Sequence, residues 1–177
     1  MSRRTALVAL LAGHVPGDEL EAAHLEQMRT FARELDDPLS REQPTAHFTA
    51  SALVVDPPRE RTYLIHHGKL GRWFQPGGHI EPSDESPLAG ALREAREETA
   101  FAVTPAQDAP IDVDVHEFPA RDDRPAHLHL DVRYLLVAEG ALEDGAAEEG
   151  AWFDRTAALA IADEEGLRRL IEKGLPR

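Results

Sequence analysis

The sequence predicts a fold of the α/β class in which one internal helix is flanked by strands on both sides. Apolar residues recur with helical spacing in separate segments, and runs with the alternation and composition of strands lie between these segments. The chain has 177 residues, the length of one domain that can bury about two-thirds of the surface exposed by the unfolded chain.

Residues 1–40 are predicted to form an N-terminal helical extension. Apolar residues recur with helical spacing over Asp18–Leu35, and the first residue of this segment forms a capping-box pattern with Glu21. A Pro–Gly pair at positions 16–17 interrupts the preceding segment, so we expect a helical hairpin. The extension could pack on the rest of the chain or build a homodimer, and the sequence leaves both alternatives open.

Residues 41–177 are predicted to form the domain that contains the strands. The predicted strands cover, in order, Ala46–Val55, Arg61–His67, Trp73–Phe74, Ile111–Phe118 and Leu128–Ala138. The predicted helices cover Leu88–Thr99 and, after an acidic loop, Asp163–Lys173. The first of these two helices is the internal helix of the fold.

The charge composition argues against two classes of partner. The chain has 19 Lys and Arg against 33 Asp and Glu, a formal net charge of −14. A broad nucleic-acid or anionic-membrane surface needs many clustered cations, so we expect neither partner. A small phosphorylated ligand held through a bound cation is compatible with this charge. No apolar run approaches the roughly 18 to 20 residues of a membrane span.

The chain contains no cysteine, so its chemistry must use carboxylates, histidines and hydroxyls. Disulfides, thiolate zinc sites, iron–sulfur clusters and cysteine nucleophiles are excluded. Arg3 and Arg4 precede a short apolar stretch, Ala6–Ala12, as in a minimal signal peptide, but the stretch is at the lower length limit and no clear cleavage site follows. We predict a cytoplasmic location. The absence of cysteine fits this reducing compartment, because disulfides do not persist there.

The segment Gly77–Phe101 contains a cluster of carboxylates. On a helical wheel, Glu94, Glu97 and Glu98 lie on one arc opposite the apolar face. Glu94 and Glu98 are like charges four residues apart, which destabilises an isolated helix by about 0.2–0.5 kcal/mol. Most charge runs are solvated helix faces, but a hard divalent cation would neutralise this one, since Mg²⁺ prefers oxygen ligands. The spacing alone is compatible with both interpretations.

The same segment resembles the Nudix box, G-x5-E-x7-R-E-U-x-E-E-x-G-U, in which U is a bulky aliphatic residue. Seven residues separate Glu85 from Arg93, as the pattern requires. The core R-E-U-x-E-E is matched by Arg93, Glu94, Ala95, Glu97 and Glu98. The resemblance implies the Nudix fold, a mixed β-sheet sandwiched between α-helices. The N-terminal extension lies outside it.

Two positions depart from the pattern. Six residues rather than five separate Gly78 from Glu85, so either the loop carries an insertion or Asp84 takes the expected position. Ala100 stands where the family has glycine, and a left-handed backbone there costs alanine about 1 kcal/mol. Neither departure changes the three helix glutamates.

The resemblance implies metal-dependent hydrolysis of the pyrophosphate linkage in a nucleoside diphosphate derivative, by attack of water on phosphorus. The implied cofactor is Mg²⁺ or Mn²⁺, and its implied ligands are Glu94, Glu97, Glu98 and the backbone carbonyl of Gly78. Arg93 would orient a glutamate through a salt bridge, and Glu85 is the expected partner.

The resemblance leaves the general base open. Similar enzymes use either a glutamate of the box, here Glu94, or a glutamate on a later loop, where Glu148 and Glu149 precede Trp152. We favour Glu94, because an acidic loop is more often simply solvated.

Three polar residues, His127, His129 and Asp131, alternate on a predicted strand and therefore share one face. They could bind a second metal, since imidazole and carboxylate are common zinc ligands, or line a substrate pocket. They could also form no more than a polar sheet face. The sequence does not decide between these alternatives.

Two other functions compete with hydrolysis. A Nudix-like nucleotide-binding sensor would keep the fold without catalysis, but such a module would be expected to have lost some of the carboxylates of the box. A similar isomerase of isopentenyl diphosphate typically needs a catalytic cysteine, which this chain lacks. Which nucleoside diphosphate derivative is the substrate cannot be decided from the sequence.

Overall fold

The computed structural model describes residues 2–120, 125–140 and 149–176 of the chain. The helices are α1 (Arg3–Gly13), α2 (Glu19–Glu34), α3 (Pro87–Thr99), α4 (Arg155–Ile161) and α5 (Glu165–Gly174). The strands are β1 (Ala46–Val55), β2 (Arg61–His67), β3 (Arg72–Phe74), β4 (Gly77–His79), β5 (Ala102–Pro105), β6 (Asp112–Phe118), β7 (His127–Glu139) and β8 (Gly150–Asp154). Within the described part of the chain, none of the helices has the length and apolar character needed to span a membrane.

The strands form one mixed sheet built around a parallel pair. β1 and β7 pair in parallel over ten residues of β1, from Ala46 opposite Leu128 to Val55 opposite Val137. Among the described strands, the other pairings are antiparallel: β2 and β4 lie along β1, β3 and β8 along β2, and β5 and β6 along β7. The sheet is therefore organised about its two longest strands.

Helices cover both faces of the sheet, which is why all ten residues of β1 are buried. On one face Phe48 and Val54 join a core with residues of α1, α2 and α3. On the other face Leu53 and Val55 join a second core with residues of α4 and α5. The predicted α/β architecture, a mixed sheet between helices, is confirmed.

The N-terminal segment consists of two helices that belong to the first core. Leu7 and Leu11 of α1 and Met28 of α2 are fully buried there. The Asp18 side chain caps α2 by accepting the amide of Glu21, as the capping-box pattern predicted. In a capping box the side chain of Glu21 would accept the amide of the cap residue, Asp18. Here the Glu21 carboxylate accepts the amide of Gly17 instead.

Candidate active site

Helix α3 is positioned by a cap at its start and by small residues on its inner face. The Ser86 hydroxyl accepts the amide of Ala89, and Pro87 occupies the first turn, where a missing N–H costs nothing. Ala91 and Ala95 are fully buried in the first core and let the helix approach β1 closely. The outer face of α3 is thereby fixed beside β4.

The three predicted carboxylates lie on this outer face and differ in exposure. Glu97 is exposed, whereas Glu94 and Glu98 are partly buried. Glu98 accepts the backbone amide of Gly77 at 2.9 Å, which joins the end of α3 to the start of β4. The structure therefore brings together α3 and the glycine pair that the sequence separates by about 20 residues.

The two glycines are required by close packing. A Cβ atom on Gly78 would lie 2.5 Å from Oε1 of Glu94, and one on Gly77 would lie 2.3 Å from Cβ of Ser51. Any side chain at either position would displace a helix carboxylate or strand β1. The backbone of Gly78 and the carboxylate of Glu94 are thus in direct apposition.

The negative charge of the three carboxylates is compensated only in part, because Arg93 pairs with Glu94 and Glu97 and is also shared with Asp84. Burial raises the pKa of Glu98 to about 6, against the lowering effect of the Gly77 amide and with further raising by Glu94 and Glu97. Burial also raises the pKa of Glu94, although Arg93 opposes this effect. Partly buried like charges at this spacing favour a bound cation.

Arg93 joins the site through Asp84, so the predicted pairing with Glu85 is wrong. The guanidinium donates from Nη2 to Oδ2 of Asp84 at 2.9 Å and from Nε to Oδ1 at 3.2 Å, and it also donates to the His79 carbonyl at 2.8 Å. Glu85 is exposed, whereas Asp84 is buried. Of the two loop alternatives that the sequence left open, Asp84 takes the position, because burial and bidentate geometry select it.

Arg93 also contacts two of the helix carboxylates. Nη1 donates to Glu94 at 2.9 Å and to Glu97 at 3.3 Å. These bonds fix the side chain of Glu94 beside Gly78.

The donor set fits a hard divalent cation. The groups that could bind it are all oxygen donors, namely the carboxylates of Glu94, Glu97 and Glu98 and the carbonyl of Gly78. Arg93 holds Glu94 in place and the Gly77 amide holds Glu98. The site thus has both candidate ligands and the outer contacts that orient them.

The other candidate base lies only partly within the described residues. Glu148 is outside them. Glu149 is exposed, and its backbone carbonyl accepts the amide of His66 at 2.6 Å, which places it beside β2. Its role as a base stays a prediction.

The polar row of β7 divides into two environments. Asp131 is buried and accepts hydrogen bonds from Thr49 at 3.0 Å, Ser51 at 2.6 Å and Arg133 at 2.8 Å. His127 and His129 instead lie among other imidazoles. The sequence analysis missed His47, which pairs in register with His129 across β1 and β7 and contacts it at 4.8 Å between ring centroids.

Comparison with known proteins identifies the family of the chain. The NUDIX domain model matches residues 45–174 of the chain. A probable DHNTP pyrophosphohydrolase of Lactococcus lactis is 35% identical over 98 residues, which cover 54% of this chain and 57% of the relative. The alignment thus spans little more than half of the relative's length.

Solved structures share the fold. A NUDIX-family hydrolase from Clostridium perfringens superposes with a TM-score of 0.55 at 24% identity, covering 72% of this chain and 95% of that one. The Ap4A hydrolase of C. elegans superposes with a TM-score of 0.54 at 18% identity, covering 71% and 93%. At these identities the likeness concerns the fold alone.

Proposed function

Because the chain belongs to the NUDIX domain family, we propose that it is a metal-dependent hydrolase that cleaves the pyrophosphate linkage of a nucleoside diphosphate derivative. The observation that carries the proposal is the apposition of the glycine pair to the carboxylates of α3. A Cβ on Gly78 would meet Glu94 at 2.5 Å, and Glu98 accepts the amide of Gly77. We assign this function to residues 41–177, with residues 1–40 as a helical extension.

The proposed metal ligands are Glu94, Glu97, Glu98 and the carbonyl of Gly78. When bound there, Mg²⁺ or Mn²⁺ would withdraw charge from phosphate oxygens and lower the pKa of a coordinated water. Glu94 is the proposed general base, because its carboxylate is held by Arg93 and has a raised pKa, two properties that suit a proton acceptor. Arg93 is a positioning residue that ties Glu94 to the loop through Asp84.

A phosphate-coupled assay with Mg²⁺ or Mn²⁺ tests the proposal. DHNTP and Ap4A, which appear in the names of two similar proteins, belong in the substrate panel beside ADP-ribose, a nucleotide sugar and a nucleoside triphosphate. We expect metal-dependent turnover that falls by several orders of magnitude in Glu97→Gln and in Glu98→Gln. Glu26→Gln, a change of an exposed helical glutamate paired only with Arg29 among the described contacts, is the matched control and should retain full turnover.

Two results would change the assignment. Near-normal turnover in both Glu97→Gln and Glu98→Gln at saturating substrate would refute the metal ligands. No turnover on any compound, with metal and nucleotide binding still measured by calorimetry, would favour a non-catalytic nucleotide sensor. The cytoplasmic location remains a prediction from the composition of the chain.

A further inference from the structure

Five of the nine histidines of the chain gather on one face of the sheet. This histidine cluster consists of His47, His79, His116, His127 and His129. In sheet register, His47 on β1, His129 on β7 and His116 on β6 form one row across three strands. Paired residues project to the same face, so the rigid sheet itself sets the spacing of these rings.

Three members of the cluster bring their ligand atoms together. One ring nitrogen each of His47, His127 and His129 lies within 4.8 Å of the other two. His47 and His127 are buried and His129 is partly buried. Nitrogens that share a tetrahedral Zn²⁺ ion at about 2.0–2.1 Å lie about 3.4 Å apart, so small side-chain rotations would close the site.

Hydrogen bonding leaves a ring nitrogen available as a ligand atom in His129 and sets the tautomer of His127. Nδ1 of His127 is 2.9 Å from the carbonyl oxygen of Pro125, so Nδ1 carries the proton and Nε2 keeps its lone pair. Such a backbone bond commonly orients the histidines that bind metals. Nε2 of His129 is buried without a hydrogen-bond partner among the described residues. A buried ring nitrogen without a partner carries a cost that a metal ion would remove.

We propose that His47, His127 and His129 form a binding site for a transition-metal ion, Zn²⁺, separate from the carboxylate site of α3. Three imidazoles suit zinc and its neighbours in the transition series, whereas Mg²⁺ prefers oxygen ligands, so the two sites select different ions by ligand type. The side chain of His116 is 40% exposed and marks the side from which an ion can enter.

A site for phosphate would need protonated rings, and the surroundings of His129 oppose the protonation of its ring. Burial lowers the pKa of His129 to about 3, with further lowering by His116, His47 and the other imidazoles. Neutral imidazole is the form that binds metals.

Zinc titration of the full chain, purified without a polyhistidine tag and stripped with a chelator, tests the proposal. Excess Mg²⁺ occupies the carboxylates during the titration. We expect one Zn²⁺ per chain by calorimetry and by elemental analysis, and X-ray absorption of the zinc-loaded wild type should show imidazole nitrogens in the first shell. His129→Gln should weaken zinc binding by more than about 100-fold, beyond the 10–100-fold effect of losing an outer contact. His67→Gln, which changes an exposed histidine outside the cluster, should leave it unchanged.

The same measurements can refute the proposed zinc site. Absence of stoichiometric zinc binding in the wild type would exclude it, as would unchanged affinity in His129→Gln. Loss of zinc binding in Glu98→Gln, or a first shell made of oxygen atoms, would place the ion on the carboxylates instead. If His129→Gln does not fold, the X-ray absorption of the wild type still decides, because it needs no variant.

Discussion

Arg93 links the loop before α3 to the carboxylates on it, and Asp84 is the residue that it uses. We expect Asp84→Asn to lower the free energy of unfolding by about 1.5–3 kcal/mol, which is the contribution of a hydrogen bond to a charged group. We also expect turnover to fall, because Arg93 would no longer be held in the position from which it orients Glu94. Glu85→Gln should change neither quantity. Urea denaturation and initial rates measure both, and the opposite ranking of the two variants would restore Glu85 as the partner.

Ala100 ends α3 in a left-handed conformation, with φ of 60° and ψ of 8°. Ala100→Gly should therefore raise the free energy of unfolding by up to about 1 kcal/mol and the melting temperature by about 2–4 °C. The exposed Ala102 has an ordinary φ, so Ala102→Gly should destabilise the protein by about 0.5–1 kcal/mol. Differential scanning calorimetry compares the two, and destabilisation by both changes would contradict the argument.

Single residues were predictable where a regular helix fixes them. The wheel placed Glu94, Glu97 and Glu98 on one arc, because helical periodicity relates their positions directly. The choice between Asp84 and Glu85 was not predictable, since it depends on which carboxylate a loop turns inward. His47 was missed for a related reason: its neighbour His129 is 82 positions away in sequence, and only strand register brings them together.

At the scale of elements, the site depends on how closely β4 approaches α3. Gly78→Ala would place a Cβ 2.5 Å from the carboxylate of Glu94, so we expect that side chain to move and turnover to fall at least about 100-fold. Gly13→Ala is the matched control, because a Cβ at Gly13 meets no atom within 4 Å. It should leave turnover unchanged. Equal activity in both variants would show that the apposition of β4 and α3 is not required.

Long elements were predictable and short ones were not. β1 and β2 have the predicted bounds, and α3 begins one residue early, because each carries enough residues to display a period. The sequence analysis missed β4, β5, β8 and α4, of which the strands have three to five residues and the helix seven. β4 forms part of the site, but its three residues are too few to display a period. It is a strand because it pairs with β1, and no local signal predicts that pairing.

At the scale of the whole molecule, Glu21 connects the N-terminal helices to the rest of the chain. Its buried carboxylate accepts hydrogen bonds from Lys173 of α5 at 2.5 Å and from the amide of Val113 in β6 at 3.3 Å, and it contacts His14 at 2.8 Å. Burial alone would raise the pKa of Glu21, but the Gly17 amide, Lys173 and His14 outweigh it and lower the pKa to about 2.

This pKa predicts how stability depends on pH. The folded pKa of Glu21 is below the unfolded value of 4.5, so its stabilisation is complete above about pH 4.5 and is lost as pH falls towards 2. The wild type should exceed Glu21→Gln by about 3 kcal/mol in free energy of unfolding at neutral pH, and this difference should vanish near pH 2. Urea denaturation across pH measures it. Glu26→Gln should show no pH-dependent difference, and a constant gap for Glu21→Gln would contradict the assigned pKa.

The same contacts predict that residues 1–40 cannot be removed without cost. Leu7, Leu11, Leu25, Met28 and Ala32 are almost completely buried in the core that also contains Phe48 and Tyr134. Deletion of residues 2–40 would expose this apolar face and leave Lys173 without Glu21. We expect the truncated chain to aggregate or to lose cooperative thermal unfolding, measured by light scattering and circular dichroism beside the full chain. A truncated chain with an unchanged melting temperature would show that residues 41–177 fold independently, and that α1 and α2 only cover a core already complete.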